Sequence, residues 1–329
     1  MKIVKYNDKY ENSWDRFVID ESCNGTILQT RKFLNYHPRG RFTDESLMFI
    51  QGTSLFAVLP ANKYKENEKN ILYSHGGSTF GGLILNSASK RIDVLEEIIN
   101  LFDEYLVENN YYKIVLKQTS NLYSKNESSI IDYFLVKNNY RISLELGYYI
   151  HFLDYNNDIL SNYSSSRRRL TRKAFENKFE FRKLKNDDEI KIFYSILLNN
   201  YEKFNNVPVH NFEEILLLKN EILKNHIGFY GVFLEEKMVG GSMVFYFDRK
   251  IFHTQYLAAN QDFLSKNPNE YLYTMLINEA KKTNFEYISF GTSVLNNGEV
   301  LNKSLAVFKS GFGTKEYINT TFTKIIGDS

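Results

Sequence analysis

The chain has 329 residues, longer than most single cores and suited to two domains. Its 41 basic and 39 acidic residues leave a net charge of +2, which argues against a protein that lives on nucleic acid by electrostatics alone. One cysteine, Cys23, excludes an intramolecular disulfide and any multi-cysteine zinc or iron–sulfur site, and the 6 histidines show no close metal-ligand spacing. With 43% hydrophobic residues, 24 Tyr and 26 Phe, there is ample apolar area to bury. MKIVKYNDKYENSWDRF lacks the apolar run of a signal peptide, and no stretch reaches membrane-spanning length. The expectation is a soluble cytoplasmic protein with no metal and no membrane insertion.

In chain order, ESLMFIQ and SLFAVLPA pair as a hairpin across Gly52-Thr53, and ILYSH supplies a third strand. The stretch from Ser87 is a helix, because Ile92, Leu95, Ile98, Ile99, Phe102 and Leu106 fall on one face. YKIVLKQ is the next strand, SIIDYFLVKN a short helix and YRISLELGYYIHFL a long strand. A boundary falls near Asp154, where DYNNDILSNYSSS is polar and non-periodic, as expected of a linker. RRRLTRKAFENK opens a basic helix, and two helical stretches follow, the second with Asn211 as N-cap.

From Gly228 to Gly291 the pattern is three strands in a meander, a helix and a fourth strand. GFYGVFLE, MVGGSMVFYF and KIFHTQYLAA are separated by turn-like Glu235-Glu236-Lys237 and Asp248-Arg249. In NPNEYLYTMLINEAKKTN, Leu272, Met275, Leu276 and Ala280 have helical spacing, and Pro268 suits a first turn. The strand YISFG comes next. The two halves repeat this order at an offset of roughly 175 to 185 residues, about one domain. Gly52 answers Glu235–Lys237, Ile114–Leu116 answers Tyr287–Gly291, and Tyr140–Phe152 answers Tyr317–Ile325.

Four stretches carry a resemblance: Gln29-Thr30 with Phe33-Leu34, GGSTFGG from Gly76, SRRRLTRKA from Ser166, and NKSLAVFKSGFG from Asn302. In this order they resemble the Fem-type tandem acyltransferases of the GNAT (acyl-CoA N-acyltransferase) class. Those proteins build peptidoglycan bridges from aminoacyl-tRNA, and relatives N-acylate sugars. The resemblance implies an α/β fold of two tandem GNAT-like domains, each a mixed, mostly antiparallel sheet flanked by helices. Residues 1–153 would be the acceptor side and 154–329 the acyl-donor side. One departure stands out: ANQDFLSKNPNEYLY has no glycine where acetyl-CoA enzymes carry a glycine-rich pyrophosphate turn.

The resemblance places Lys309, of the Phe308-Lys309 pair, at the reaction centre as a cation facing negative charge. By position, Gln255, Tyr256, Leu257 and Ala258 would line the donor and supply an oxyanion amide, a contribution of ~3 kcal/mol to the barrier. Asn269 and Glu270 begin the following helix and, with Phe308, complete the donor side, although Glu270 sits poorly beside a phosphate. His75 and His210 are candidate bases for an attacking amine, since imidazole titrates near neutrality. Gln29, His37, Arg39, Arg41, Gly77, Ser78, Thr79 and Tyr201 form the acceptor side. The arginines suit a diphosphate, and the glycines permit close approach. For Arg167–Lys173, acidic partners within the fold are the first reading, ligand phosphate the second and tRNA the third.

The expected reaction moves a short acyl group from acyl-CoA, the co-substrate, to the amino group of a nucleotide-linked amino-deoxysugar for surface polysaccharide synthesis. One alternative is an aminoacyl-tRNA-dependent transferase acting on a peptidoglycan stem peptide. Another is a non-catalytic binding or adaptor protein. The sequence leaves a homodimer open.

Overall fold

The computed structural model describes residues 1–126, 128–203 and 205–327. The first part of the chain forms β1 (Lys2–Lys5), α1 (Glu11–Arg16), α2 (Arg31–Leu34), β2 (Thr43–Asp44), β3 (Leu47–Gln51) and β4 (Ser54–Leu59). It continues with β5 (Asn62–Glu66), β6 (Lys69–Ser74), β7 (Ile84–Leu85), α3 (Ile92–Glu108), β8 (Tyr111–Lys117) and α4 (Ser129–Lys137). Then come β9 (Arg141–His151), α5 (Ser165–Phe175), β10 (Glu180–Lys183), α6 (Asp187–Glu202), α7 (Phe212–Leu217), β11 (Ile227–Leu234), β12 (Lys237–Phe247) and β13 (Ile251–Ala259). Last are α8 (Pro268–Lys282), β14 (Tyr287–Thr292), β15 (Val294–Leu295), β16 (Val300–Leu301), α9 (Lys303–Ser310) and β17 (Lys315–Ile325).

The chain divides into two compact units. One comprises residues 1–145, 297–299 and 318–327, the other 146–296 and 300–317. The division thus falls inside β9, not at 153, and the C-terminal segment belongs to the first unit. The stretch expected as a linker is also part of the second unit's core: Tyr155, Ile159 and Tyr163 are buried there. The Tyr155 hydroxyl donates to the Phe312 carbonyl at 2.6 Å. Its polar composition hid three apolar anchors spaced along it.

In the first unit β3 and β4 pair as expected, within a sheet ordered β1-β3-β4-β7. ILYSH does not extend that hairpin. It is β6, which pairs antiparallel with β5 and parallel with β8, and β17 lies antiparallel along the other edge of β8. Strand β5 carries no strand signal in the sequence, because NKYKE has the composition of a solvated stretch. Its turn, Asn67 and Glu68 at φ 49° and 63°, is the left-handed pair that tight hairpins require. The repeat is therefore out of step by one strand: the strand leading into the parallel pair is β6 here and β13 in the second unit. Helix α3 seals the core of this unit with Leu95, Ile98, Ile99, Phe102 and Leu106.

The second unit follows the expected meander. Its strands run β10-β11-β12-β13-β14-β9, with β13 and β14 parallel and α8 buried by Leu272, Leu276, Ile277 and Ala280. Pro268 opens α8. Asn211 caps α7 and exchanges hydrogen bonds with Glu214 in a capping box.

Candidate active site

The site in the second unit begins with a fork. Strands β13 and β14 pair only at Ile251, Phe252 and His253, opposite Tyr287, Ile288 and Ser289. Beyond that point β13 runs on to Ala259 and β14 to Thr292 without pairing to each other. Two irregularities produce the parting. Along β12, Val244 faces Thr254 and Met243 faces Tyr256, so Gln255 is an extra, bulged residue. Along β9 the register of β14 breaks between Ser289 and Thr292, where Gly291 takes φ +67°, a conformation suited to glycine. The bulge also reverses the alternation of β13: Phe252 and Leu257 pack into the same core although an odd number of residues apart. At the crotch the Thr254 hydroxyl donates to the Ser289 carbonyl at 3.1 Å, standing in for the lost ladder bond.

Lys309 reaches this fork from α9. Its side chain is 4% exposed, and Nζ donates to the carbonyls of Gly291 at 3.2 Å and Thr292 at 2.6 Å. Burial pushes the amine down from its ordinary value to about 7. His253 Nδ1 and Ser289 Oγ lie 3.2 Å apart. Burial first, and the Lys309 charge second, lower that imidazole to about 4. Gln255 interacts with both His253 and Tyr256, and the Tyr256 hydroxyl shares a hydrogen with His210 Nδ1 at 2.8 Å. The Tyr201 ring packs edge-on to Tyr256 at 6.3 Å. Lys309 and Gln255 thus stand at the fork, with Tyr256, His210 and Tyr201 on its flank. Leu257 and Ala258 are packed as strand core.

The first turn of α8 carries a buried ion pair. Glu270 is ion-paired with Arg167 Nη1, both largely buried, and the guanidinium lies over the Phe308 ring at 4.1 Å. The basic stretch therefore finds an acidic partner within the fold through Arg167. Phe308 packs with Tyr273 and Phe312 at 5.4 and 5.3 Å. Asn269 precedes the pair on the same turn, half-buried.

In the first unit Gln29 is fully buried and uses its whole amide internally. Oε1 accepts from the Thr26 amide and hydroxyl, while Nε2 donates to Gly81 O and Thr119 Oγ1. No capacity is left for a ligand, so it holds the glycine loop in place. His75 Nδ1 accepts the Gly77 N–H at 3.0 Å, and burial lowers the imidazole to about 4. His37 donates from Nε2 to the Gly77 carbonyl at 2.9 Å, and Ser78 donates to the Leu28 carbonyl. Thr79, Arg39 and Arg41 are exposed, Arg41 lying over the Phe42 ring.

Sequence reasoning missed His253, Thr254 and Ser289, because each reads as an ordinary strand residue. It also missed Ser293, next to the Thr292 carbonyl that holds Lys309, whose hydroxyl is fully buried with no partner among the described residues. Among those residues no cluster of three His, Cys, Asp or Glu is placed to hold a metal, and no helix is long and apolar enough to cross a membrane.

No protein-family profile matches the chain, and no curated protein matches it in sequence. Solved structures do match. The FemX structure is 12% identical with a TM-score of 0.69, covering 99% of this chain and 97% of that one. A tandem GNAT protein from the clavulanic acid biosynthesis pathway is 8% identical with a TM-score of 0.58, covering 100% and 99%. The C-terminal domain of a putative lysylphosphatidylglycerol synthetase from Agrobacterium fabrum is 8% identical with a TM-score of 0.59, covering 96% and 92%. At such identities the likeness is one of fold. The chain has the α/β fold of tandem GNAT-like domains expected from its sequence, with Fem-type structures among its neighbours.

Proposed function

We propose that the chain is an N-acyltransferase whose reaction centre is the fork between β13 and β14, with Lys309 beside it. The observation that carries this reading is the fork itself. It frees main-chain groups of β13 next to a buried amine, in a fold whose neighbours include proteins named as GNATs. An acceptor amine attacks the activated carbonyl carbon, and a C–N bond forms. Charge on the carbonyl oxygen is met by main-chain amides. The carbon–oxygen or carbon–sulfur bond to the donor then breaks, and the proton lost by the amine balances the leaving group.

An aminoacyl ester, such as the one on aminoacyl-tRNA, is the favoured donor. The Arg167–Glu270 pair sets a carboxylate on the first turn of α8, unfavourable to a CoA pyrophosphate at the helix amides, and no glycine-rich turn precedes it. Acyl-CoA is the second reading, in keeping with the tandem GNAT neighbour of the clavulanic acid pathway, a structure solved without AcCoA. For the acceptor, the nucleotide-linked amino sugar rests on exposed Arg39 and Arg41 alone. A stem-peptide amine, which the Fem-type resemblance implies, fits at least as well. The test offers purified protein aminoacyl-tRNA in one arm and short acyl-CoAs in the other, each with primary amines of both classes, and follows products by mass spectrometry. Amide formed in the first arm supports the favoured donor. Folded protein that binds donor but forms no amide in either arm leaves the non-catalytic alternative.

A further inference from the structure

The placement of Lys309 raises a question that a cationic role does not answer. An ammonium carries three N–H donors and a neutral amine two. Nζ has two acceptors, the carbonyls of Gly291 and Thr292, and among the described residues no third partner and no carboxylate. The titratable groups on the surrounding elements are His253 on β13, Tyr273 on α8, Tyr317 on β17 and the Arg167–Glu270 pair. That pair is closed on itself, and Tyr273 is pushed upward by burial, so no negative charge faces the amine. Both N–H groups of a neutral amine are thus engaged on one side, and its lone pair is the one function left over, at the point where β13 and β14 part.

We propose that Lys309 works as a neutral amine and takes the proton from the attacking acceptor, instead of serving as a fixed cation. This rests on the acyl-transfer reading. As the acceptor nitrogen bonds to the carbonyl carbon, its N–H proton passes to Lys309 Nζ, giving a transient ammonium. When the tetrahedral adduct collapses, that proton moves to the departing oxygen or sulfur and Lys309 is neutral again. The two carbonyls aim the lone pair in the resting state and hold the ammonium while it exists. Burial, which lowers the amine to about 7, matches the base to neutral pH.

Three measurements test this. In protein carrying 13C-labelled lysine, the Lys309 side-chain signal, assigned by its loss in Lys309→Met, should titrate near neutrality. A signal that stays in the ammonium position to pH 9 overturns the proposal whether or not turnover has been found. With an active donor–acceptor pair, Lys309→Arg and Lys309→Met should both lower kcat at least 100-fold, because arginine keeps the charge and cannot accept the proton. Lys309→Arg retaining more than a tenth of wild-type kcat, with a native melting transition, overturns it too. In the wild type, kcat/KM should fall tenfold per pH unit below about pH 7; a flat profile down to pH 5 counts against it. If the arginine variant does not fold, the titration decides. Absence of acyl transfer from every donor tried would sink the functional reading alone, since the titration still reports the state of Lys309.

Discussion

Burial holds the imidazoles of both His75 and His253 near a pKa of 4, below the 6.5 of an unfolded chain. Between pH 6.5 and 4 the unfolded chain therefore binds protons that the folded chain does not, and stability falls as the pH drops through that window. Each histidine should contribute on the order of 3 kcal/mol to this loss. Replacing either with Asn should flatten the pH dependence of chemical denaturation there; an unchanged slope would place the imidazoles in contact with water. Lys309 behaves in the same direction, in a window further up the pH scale. Its folded value of about 7 lies below its unfolded 10.5, so the cost of burying it is full below pH 7 and shrinks as the pH rises toward 10.5. Lys309→Met should be more stable than wild type by about 1–4 kcal/mol at pH 6, with the gap closing by pH 10. The Arg167–Glu270 pair invites a double-mutant cycle. Arg167→Met alone should destabilise by about 3–5 kcal/mol, because it leaves a buried carboxylate unpaired, while adding Glu270→Leu should recover most of that. Lys309 was singled out by the Fem-type resemblance of its Phe-Lys-Ser-Gly setting, to which the structure adds its burial beside the fork. His253, Thr254 and Ser289 were not, because what sets them apart is where two strands separate, and that leaves no mark on residue type.

At the level of elements, the meander, α8 and β14 were readable because apolar periodicity and turn residues agreed over the whole stretch. Strand β5 was not, because an exposed strand of lysines and a glutamate carries no burial pattern. Strand β13 was singled out by position, but what parts it from β14 was invisible: a one-residue bulge at Gln255 and a left-handed glycine at Gly291 are departures from periodicity. Deleting Gln255 should restore regular pairing along β12. Acyl transfer should fall at least 100-fold while the melting temperature holds or rises, and retained turnover would separate the chemistry from the bulge. Gly291→Ala has space, since the nearest atom to an added Cβ is 3.6 Å away. Its cost should be backbone strain alone, about 1–2 kcal/mol by denaturant titration.

At the level of the whole molecule, two copies of one fold were legible, and where the chain divides was not. A boundary read from polarity fell on a segment that is core, and nothing local in Tyr317–Ile325 says which unit it serves. Residues Thr321 to Ile325 pair with Lys117 back to Lys113, and Phe322 lies fully buried among Leu95, Ile98 and Phe102 in the first unit's core. Phe322→Ala should therefore destabilise the first unit by about 3–5 kcal/mol. A fragment ending at residue 153 should fail to fold, whereas appending residues 315–327 to it should restore a cooperative melt; a stable bare fragment would contradict the assignment of β17.

That last strand also sets a schedule. On the ribosome residues 1–145 emerge before β17, so β8 has an unfilled edge and the core an empty place until residues 318–327 leave the exit tunnel. The first unit is thus completed only after most of the second has been made, and a nonsense codon ahead of β17 would spoil the unit whose other strands are already in place.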